Sequence, residues 1–224
     1  MDTVRRKITA AADPDDQDGV LLGGESIAEM GDQNEHHANL NDEGVFEQND
    51  DRGPFISTYS GAKFFVNECN VQDVPMTDIA NALALNCRFN GHISKHYSVA
   101  EHCVLISNLV APENALYGLL HDYAEAFIGD VPRPFKAKIT GYDDFEAEVM
   151  ANVCDLYGLP LDPPEDVAYI DTHICAVEAT VLAKVVPEWV QYYDPDVCPK
   201  HEIKGLTHLQ ARAAFMNRFN ELTQ

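Results

Sequence analysis

Residues 112–128 read PENALYGLLHDYAEAFI. Pro112 and Glu113 are typical of the first turn of a helix, and the residues after them repeat with a helical period. One face is apolar and is made of Leu116, Leu119, Leu120, Tyr123 and Phe127. The other face carries three titratable and two small residues, which are His121, Asp122, Glu125, Ala115 and Gly118. An exposed polar face would carry Lys, Gln or Glu instead, so the small residues predict close packing of a second helix here.

A preceding helix, residues 98–110, is predicted from an S-x-x-E capping box formed by Ser98 and Glu101. Its buried stripe is made of Val99, Cys103, Ile106 and Val110. At 100° per residue, His102 falls beside this stripe and not opposite it. A core histidine with satisfied hydrogen bonds is the alternative, and it stays open for His102 taken alone.

A later helix, predicted over residues 165–186, carries acids inside its apolar stripe. Asp171 lies within that stripe, and Glu178 lies within it one heptad later. An unpaired buried carboxylate costs several kcal/mol, so it needs a cation, a hydrogen-bond donor or a proton. A metal ion shared with His102 and His121 would supply that compensation.

The candidate ligands are two imidazoles and two carboxylates, from His102, His121, Asp122 and Asp171. Such a nitrogen and oxygen set suits Mn, Fe, Co, Ni or Zn, with positions left open for water and substrate. No thiolate belongs to the set, which argues against a structural zinc site.

The rest of the chain is predicted to form a small β-hairpin and further helices. Residues 55–59 and 63–66 are strand-like, and Gly61 supplies the turn between them. Helices are predicted over residues 77–86, 142–157 and 207–222, with Thr77 and Thr207 as caps. The predicted fold is therefore an all-α bundle with a small N-terminal hairpin.

Residues 1–53 are rich in Asp, Glu, Asn, Gln and Gly, so a disordered acidic tail is predicted before a domain at residues 54–224. A partner-binding role of this tail is an alternative. The chain has 37 acidic and 15 basic residues, a net charge of −22, which argues against general nucleic-acid binding but allows a small phosphorylated substrate. The six cysteines form no C-x-x-C pair, and no apolar run suggests a membrane span, so we expect a cytoplasmic protein.

The ordered set H…HD…D resembles the signature of the HD-domain phosphohydrolases. In this chain it reads SVAEH at 98–102, LHDYAE at 120–125 and ID at 170–171. The flanking stretches NCRF at 86–89 and GDVPRPFK at 129–136 are similar to the YfbR-like 5′-deoxynucleotidases. The phage deoxynucleoside triphosphate hydrolases are related to them. The resemblance covers about residues 54–186.

This resemblance implies an HD-type helical bundle that releases phosphate from a small nucleotide. It implies one divalent transition metal ion (Co, Mn or Zn, with Mg as a further candidate) on His102, His121, Asp122 and Asp171. Matched position by position, it implies acid–base roles for Glu125 and Asp130. Asp122 is an alternative to Glu125 as the group that accepts the proton of water. The resemblance implies a phosphate contact from Arg88 and, as in the triphosphate-cleaving relatives, a basic position near the phosphates at Lys136. Phe89 and Arg133 are further candidates for substrate binding. The resemblance also implies a homo-oligomer.

One spacing departs from the family pattern. Only 18 residues, 103–120, separate the first two histidines, so residues 107–113 are expected to make a tight turn between helices.

Two alternatives to a monophosphatase stay open. Arg133 and Lys136 would favour a deoxynucleoside triphosphate triphosphohydrolase, because two further phosphates need counter-charge. A degenerate HD-type binding or regulatory module is the alternative of another class. His92 and His96, close to Arg88 in sequence, either border the substrate or are bystanders.

Overall fold

A computed structural model describes residues 50–224. Strands β1 (Phe55–Ser57) and β2 (Lys63–Phe65) form an antiparallel pair in which Phe55 is opposite Phe65. Helices dominate the remainder of the described chain, so the predicted fold class, mostly helical with one small hairpin, is confirmed. The predicted tail, residues 1–53, lies outside the described residues except for 50–53.

The helices follow in chain order: α1 Met76–Leu85, α2 Val99–Leu109, α3 Ala115–Leu120, α4 Glu125–Ile128, α5 Arg133–Lys136, α6 Tyr142–Tyr157, α7 Glu165–Leu182 and α8 His208–Leu222. The predictions for α6 and α8 match these bounds, because local signals fix their ends. Gly158 ends α6 in the left-handed region at φ 65°, where a residue without Cβ is unstrained. Thr207 caps α8 in a reciprocal capping box with Gln210.

Two predicted helix ends were wrong. Pro75, not Thr77, is the N-cap of α1, because its extended backbone precedes a helix that begins at Met76. The last long helix, α7, ends at Leu182 and not near residue 186, since Ala183 is already extended. Neither end carries a side-chain capping signal that the sequence could have revealed.

The predicted continuous helix over residues 112–128 is also interrupted. A 3-10 turn at Pro112–Asn114 leads into α3, and a second break at residues 121–124 separates α3 from α4. Around this break the amides of Tyr123 and Glu125 bond three residues back, to Leu120 and Asp122, at 3.0 Å each. The tightened turn presents His121 and Asp122 together.

Helices α2 and α3 pack closely at Gly118, as predicted from the small residues. A Cβ at Gly118 would lie 3.2 Å from Ile106 Cγ2 and 3.3 Å from Ser107 Cα, closer than ordinary contact. The connection between the two helices is short and is held from α7. The Asp166 carboxylate accepts the backbone N–H of Ala111 at 2.8 Å and the side-chain amide of Asn114 at 2.7 Å.

Helix α2 borders two apolar clusters. Val99 and Cys103 belong to the cluster built with α1, α3 and α8. Ile106 belongs to the cluster built with α7, which includes Ile174. The residues of α2 are therefore fixed from several sides.

No helix between residues 50 and 224 combines the length and apolar character needed to cross a bilayer.

Glu101, at the start of α2, holds a distant segment of the chain. Ser98 caps α2 as predicted, accepting the N–H of Glu101 at 3.2 Å. The Glu101 carboxylate, however, accepts the backbone N–H groups of Lys204, Gly205 and Leu206 at 3.0, 2.9 and 2.6 Å. Only half of the predicted capping box forms, because three charge-assisted bonds satisfy this buried carboxylate instead.

Candidate metal centre

Four side-chain atoms converge where α2, the 121–124 turn and α7 meet. His102 Nε2 lies 3.3 Å from Asp171 Oδ1 and 3.6 Å from Asp122 Oδ2. His121 Nε2 lies 3.3 Å from Asp122 Oδ2 and 3.7 Å from Asp171 Oδ1. The structure thus brings the four side chains proposed as ligands from the sequence close together. Three of them, His102, His121 and Asp171, form a grouping able to hold a metal ion.

Three of these four atoms are left without hydrogen bonds. His102 Nε2, His121 Nε2 and Asp122 Oδ2 are buried and have no partner of acceptable geometry among residues 50–224. Buried polar atoms in folded proteins normally have partners, so three orphaned atoms facing one point need an explanation. A divalent cation accepts lone pairs from imidazole nitrogens and carboxylate oxygens, and this donor set fits it.

The hydrogen bond made by Nδ1 of each imidazole determines which ring nitrogen is free to bind a metal. His102 Nδ1 lies 2.6 Å from Glu178 Oε1, and His121 Nδ1 lies 2.9 Å from the Gly118 carbonyl oxygen. A carbonyl oxygen and an ionised carboxylate can accept a hydrogen bond but cannot donate one. Both Nδ1 atoms therefore carry the proton that they donate. In the neutral imidazoles the Nε2 lone pairs then face the centre, as metal-binding histidines require.

Charge at the centre favours cations. Burial alone would raise the pKa of Asp122, but His121 and then His102 outweigh it and hold that pKa at about 2. Burial would lower the pKa of His121, but Asp122 and Asp171 outweigh it and raise that pKa well above its ordinary value. Protons therefore compete with a metal for the same nitrogens, and a metal should bind more tightly as the pH rises.

A second grouping of donors consists of Cys103, His121 and Asp122. Burial raises the pKa of the Cys103 thiol to about 11, so the thiol is protonated near neutral pH. Cys103 is buried within the α2 stripe, where a free thiol behaves as a small apolar residue, and it was not among the ligands predicted from the sequence.

Glu178 lies beneath the centre and is fully buried. Its Oε1 accepts from His102 Nδ1, and its Oε2 accepts from Arg88 Nη2 at 3.0 Å. Arg88 Nη1 in turn lies 3.7 Å from Asp122 Oδ2. The sequence indicated a buried acid at position 178 that needs compensation. The structure compensates it with Arg88 and His102, so one carboxylate orients a candidate ligand and a candidate phosphate-binding residue.

Glu178→Gln should weaken metal binding and lower turnover, each by roughly 10-fold to 100-fold. Glutamine keeps the shape but offers one acceptor oxygen, so its NH2 group must face either the His102 N–H or the Arg88 guanidinium. Metal affinity can be measured by competition with a chelating dye, and turnover as phosphate release. Glu165→Gln, on the exposed first turn of α7, is the matched control. Unchanged metal affinity in Glu178→Gln would show that His102 is oriented without this carboxylate.

A cavity of about 440 Å³ opens beside the centre. Its walls include every residue predicted to act on or bind the substrate: Arg88, Phe89, Asp122, Glu125, Asp130, Arg133 and Lys136. Asp171 also lines it, together with Cys175, Trp189 and Tyr193, which the sequence did not single out. His92 and His96 are exposed and are not part of this wall. The volume is typical of a small-molecule site.

Glu125 is buried in the cavity wall, with only 3% of its side chain exposed. Its Oε2 has no hydrogen-bond partner within the described residues, and its Oε1 lies 3.9 Å from Lys136 Nζ. Burial, then the charges of Asp122 and Asp130, raise the pKa of Glu125 well above its usual value. The raised pKa makes the protonated form of Glu125 more accessible than that of an ordinary glutamate, which suits a group that moves a proton.

Asp130 has a positioning contact that the sequence did not predict. Its Oδ2 accepts the backbone N–H of Phe89 at 3.0 Å. Phe89 and Asn90 have φ of 55° and 52°, a left-handed conformation that non-glycine residues adopt at a cost. The bond from Asp130 helps to hold this turn, which carries Arg88 into the cavity.

The cations of the cavity differ in how far they are neutralised. Lys136 Nζ donates to Glu146 at 2.9 Å. Burial alone would lower the pKa of Lys136, but the hydrogen bond and the charge of Glu146 outweigh this effect and raise the pKa. This lysine therefore stays charged. Arg133 is exposed and has no ion pair within residues 50–224. It is the cavity cation whose charge is least compensated.

Comparison with known proteins gives relatives but no function. No family model matches the chain. The chain is 34% identical over 180 residues to a protein of Escherichia coli (strain K12), the uncharacterized protein YfdR; the match covers 76% of this chain and 96% of the relative. An uncharacterized protein of Rhodobacter capsulatus is 36% identical over 111 residues, covering 45% of this chain and 57% of that protein.

Proposed function

This chain belongs to the family of the Escherichia coli protein YfdR, and we propose that it is a metal-dependent phosphohydrolase of the HD type acting on deoxynucleotides. The substrate proposed is a deoxynucleoside monophosphate, from which the 5′-phosphate is removed. One observation carries the proposal. The orphaned atoms of His102, His121 and Asp122 meet Asp171 at the wall of a cavity that also holds Glu125 and Arg88.

The chemistry needs a charged phosphate to be held while a proton is moved. A divalent ion (Co, Mn or Zn) on His102, His121, Asp122 and Asp171 would supply Lewis-acid polarisation of a phosphate oxygen. Arg88 would donate to the phosphate oxygens and offset their charge as the ester bond breaks. Glu125, as carboxylate, would accept the proton of the attacking water and, once neutral, donate it to the leaving 5′-oxygen. Asp130 would hold the turn that positions Arg88.

The balance of charge in the cavity supports a monophosphate. Glu178 partly neutralises Arg88, and Glu146 partly neutralises Lys136, so Arg133 alone is uncompensated among the cations lining this cavity. A triphosphate would bring two more charged groups, and the acidic groups that they would meet include Asp122, Asp130 and Asp171. The exposed Arg133 is the observation that keeps triphosphate cleavage as the second candidate.

Product analysis tests the proposal directly. The full-length protein is incubated with each deoxynucleoside mono- and triphosphate in the presence of Co²⁺, Mn²⁺ or Zn²⁺. Inorganic phosphate and nucleoside from the monophosphates support the proposal. Release of triphosphate from deoxynucleoside triphosphates would instead establish the second candidate. Binding of nucleotides without any cleavage, in protein shown to hold metal, would indicate a degenerate binding module.

Arg88→Ala should lower kcat/KM for a monophosphate by roughly 10²-fold or more, because a buried charge-assisted contact to the phosphate is lost. Lys136→Ala should change it less than about fivefold, since Lys136 already pairs with Glu146. Steady-state kinetics on a mono- and a triphosphate measure both. Lys138→Ala, an exposed lysine outside the cavity, is the control. A larger effect of Lys136→Ala than of Arg88→Ala would reverse the assignment of the phosphate contact.

A further inference from the structure

Part of the cavity wall has no role in phosphate chemistry. After α7, the 3-10 turn Glu188–Tyr192 carries Trp189, and Tyr193 follows it. Both rings line the cavity that Asp122 and Asp171 also line. Their centroids are 5.6 Å apart with an interplanar angle of 81°, an edge-to-face pair. The cavity wall therefore combines an ionic part with an aromatic part.

The aromatic part is fixed to the helix that carries the candidate ligand Asp171. The Tyr193 ring packs edge-to-face on His173 at 5.7 Å. The backbone N–H of Asp194 donates to His173 Nδ1 at 2.9 Å, and the Tyr169 hydroxyl donates to Asp194 Oδ2 at 2.9 Å. Because His173 is two residues beyond Asp171 on α7, these bonds set the position of the rings relative to the metal centre.

The exposure of the rings indicates a contact surface and not a core. Trp189 is 38% exposed, and Tyr193 is half-buried, whereas the aromatic side chains of the core, such as Tyr123, are almost fully buried. Rigid aromatic rings that border a cavity are suited to stacking on a planar group, since this contact uses the π-face and requires no particular hydrogen-bond pattern.

We propose that Trp189 and Tyr193 form the platform that contacts the nucleobase of the substrate. The site would then select phosphate esters that carry a planar aromatic group over simple sugar phosphates, with little preference among bases. This inference rests on the proposed function for the identity of the substrate. It assigns a selection step to two residues that take no part in the phosphate chemistry.

The chain offers a clean reporter for this contact. Trp189 is its single tryptophan, so the intrinsic tryptophan emission reports on this wall alone. The full-length protein with Zn²⁺ is titrated with a 5′-methylenephosphonate analogue of dAMP, which cannot be hydrolysed. Deoxyribose 5-phosphate and inorganic phosphate are titrated in parallel. We expect saturable quenching by the analogue and none by the two ligands that lack a base at the same concentrations.

Tyr193→Ala keeps the reporter and removes half of the platform. The Kd of the analogue, followed by calorimetry as well as emission, should rise roughly 10-fold, as expected for a lost stacking contact. The calorimetric Kd of inorganic phosphate should be unchanged. Tyr192→Ala is the matched control, since Tyr192 is 78% exposed and does not line the cavity. The Kd of the analogue for the Tyr192→Ala protein should stay within about twofold of the wild-type value. Circular dichroism establishes that each variant is folded.

Each outcome bears on one of the two proposals. Absence of calorimetric binding of the analogue would overturn the platform. So would an unchanged Kd in Tyr193→Ala, or binding that leaves the Trp189 emission unaltered. Quenching together with the Tyr193→Ala effect, in a protein that releases no phosphate from any nucleotide, would support the platform and reject the proposed hydrolysis. Equal cleavage of deoxyribose 5-phosphate and dAMP would reject the platform and leave the phosphohydrolase standing.

Discussion

Alanine at Asp171 should abolish metal retention and phosphate release together. Asp171 Oδ1 lies within 3.3–3.7 Å of both His102 Nε2 and His121 Nε2, and it is the contribution of α7 to the centre. Without it, the remaining donors come from α2 and the 121–124 turn alone. Metal content after desalting, measured by mass spectrometry, should fall from about one ion per chain to background. Turnover should fall to that of the metal-free protein.

Asp155→Ala is the control for that experiment, because Asp155 is an exposed aspartate on α6. It should keep both metal and turnover. The pH dependence of stability tests the same side chain. Burial alone would raise the pKa of Asp171, but His102 and His121 outweigh this effect and hold the pKa well below its ordinary value. The contribution of Asp171 to stability is therefore fully present above the ordinary pKa of an aspartate, and it is lost as the pH falls from there through the lowered folded-state pKa. A folded Asp171→Ala protein that retains metal would reject Asp171 as a ligand.

Glu125→Gln should lower kcat by roughly 10²-fold to 10⁴-fold while the protein keeps its metal, because glutamine cannot transfer a proton. The change preserves the shape of a buried side chain and removes only its titration. Metal content and kcat are measured on the same preparations. Glu148→Gln, an exposed position on α6, should leave both unchanged. Near-normal turnover in Glu125→Gln would move the proton transfer to another group.

The same substitution should not destabilise the protein at high pH. Burial and the neighbouring carboxylates raise the pKa of Glu125, so the folded state disfavours its ionised form. Any stability from Glu125 is present below its ordinary pKa and is lost as the pH rises through the raised value. Melting of the metal-free proteins between pH 5 and pH 9 should therefore shift in favour of the variant as the pH rises. A deficit that grows with pH would contradict this burial argument.

The sequence predicted the helices well where the signal was local. A hydroxyl at an N-cap and a glycine at a C′ position act within one turn, which is why Thr207, Ser98 and Gly158 marked ends correctly. The break at residues 121–124 carried no such signal. It contains no glycine or proline, and its shape depends on the His121 ring bonding to the Gly118 carbonyl and on packing against α2.

For the candidate site, the residue types and the helix faces on which they lie could be predicted from the sequence. The sequence singled out the four side chains that converge and the acid at position 178. It could not give the partners of Glu178, which are 76 and 90 residues away along the chain. Trp189 and Tyr193 were missed, because a short 3-10 turn has no periodicity to indicate which of its rings face a cavity. A single tryptophan beside two tyrosines was the available hint.

The hydrogen bonds between Glu101 and residues 204–206 determine how much of the chain is required to keep the site folded. No residue after Tyr193 lines the cavity, which would suggest that the working unit ends there. Yet the carboxylate next to His102 is satisfied by amides of Lys204, Gly205 and Leu206. A chain shortened before these amides would lose three charge-assisted hydrogen bonds to a carboxylate one residue from a candidate ligand, and such bonds are worth about 1.5–3 kcal/mol each. The minimal unit therefore reaches at least to residue 206, beyond every motif that marks the site.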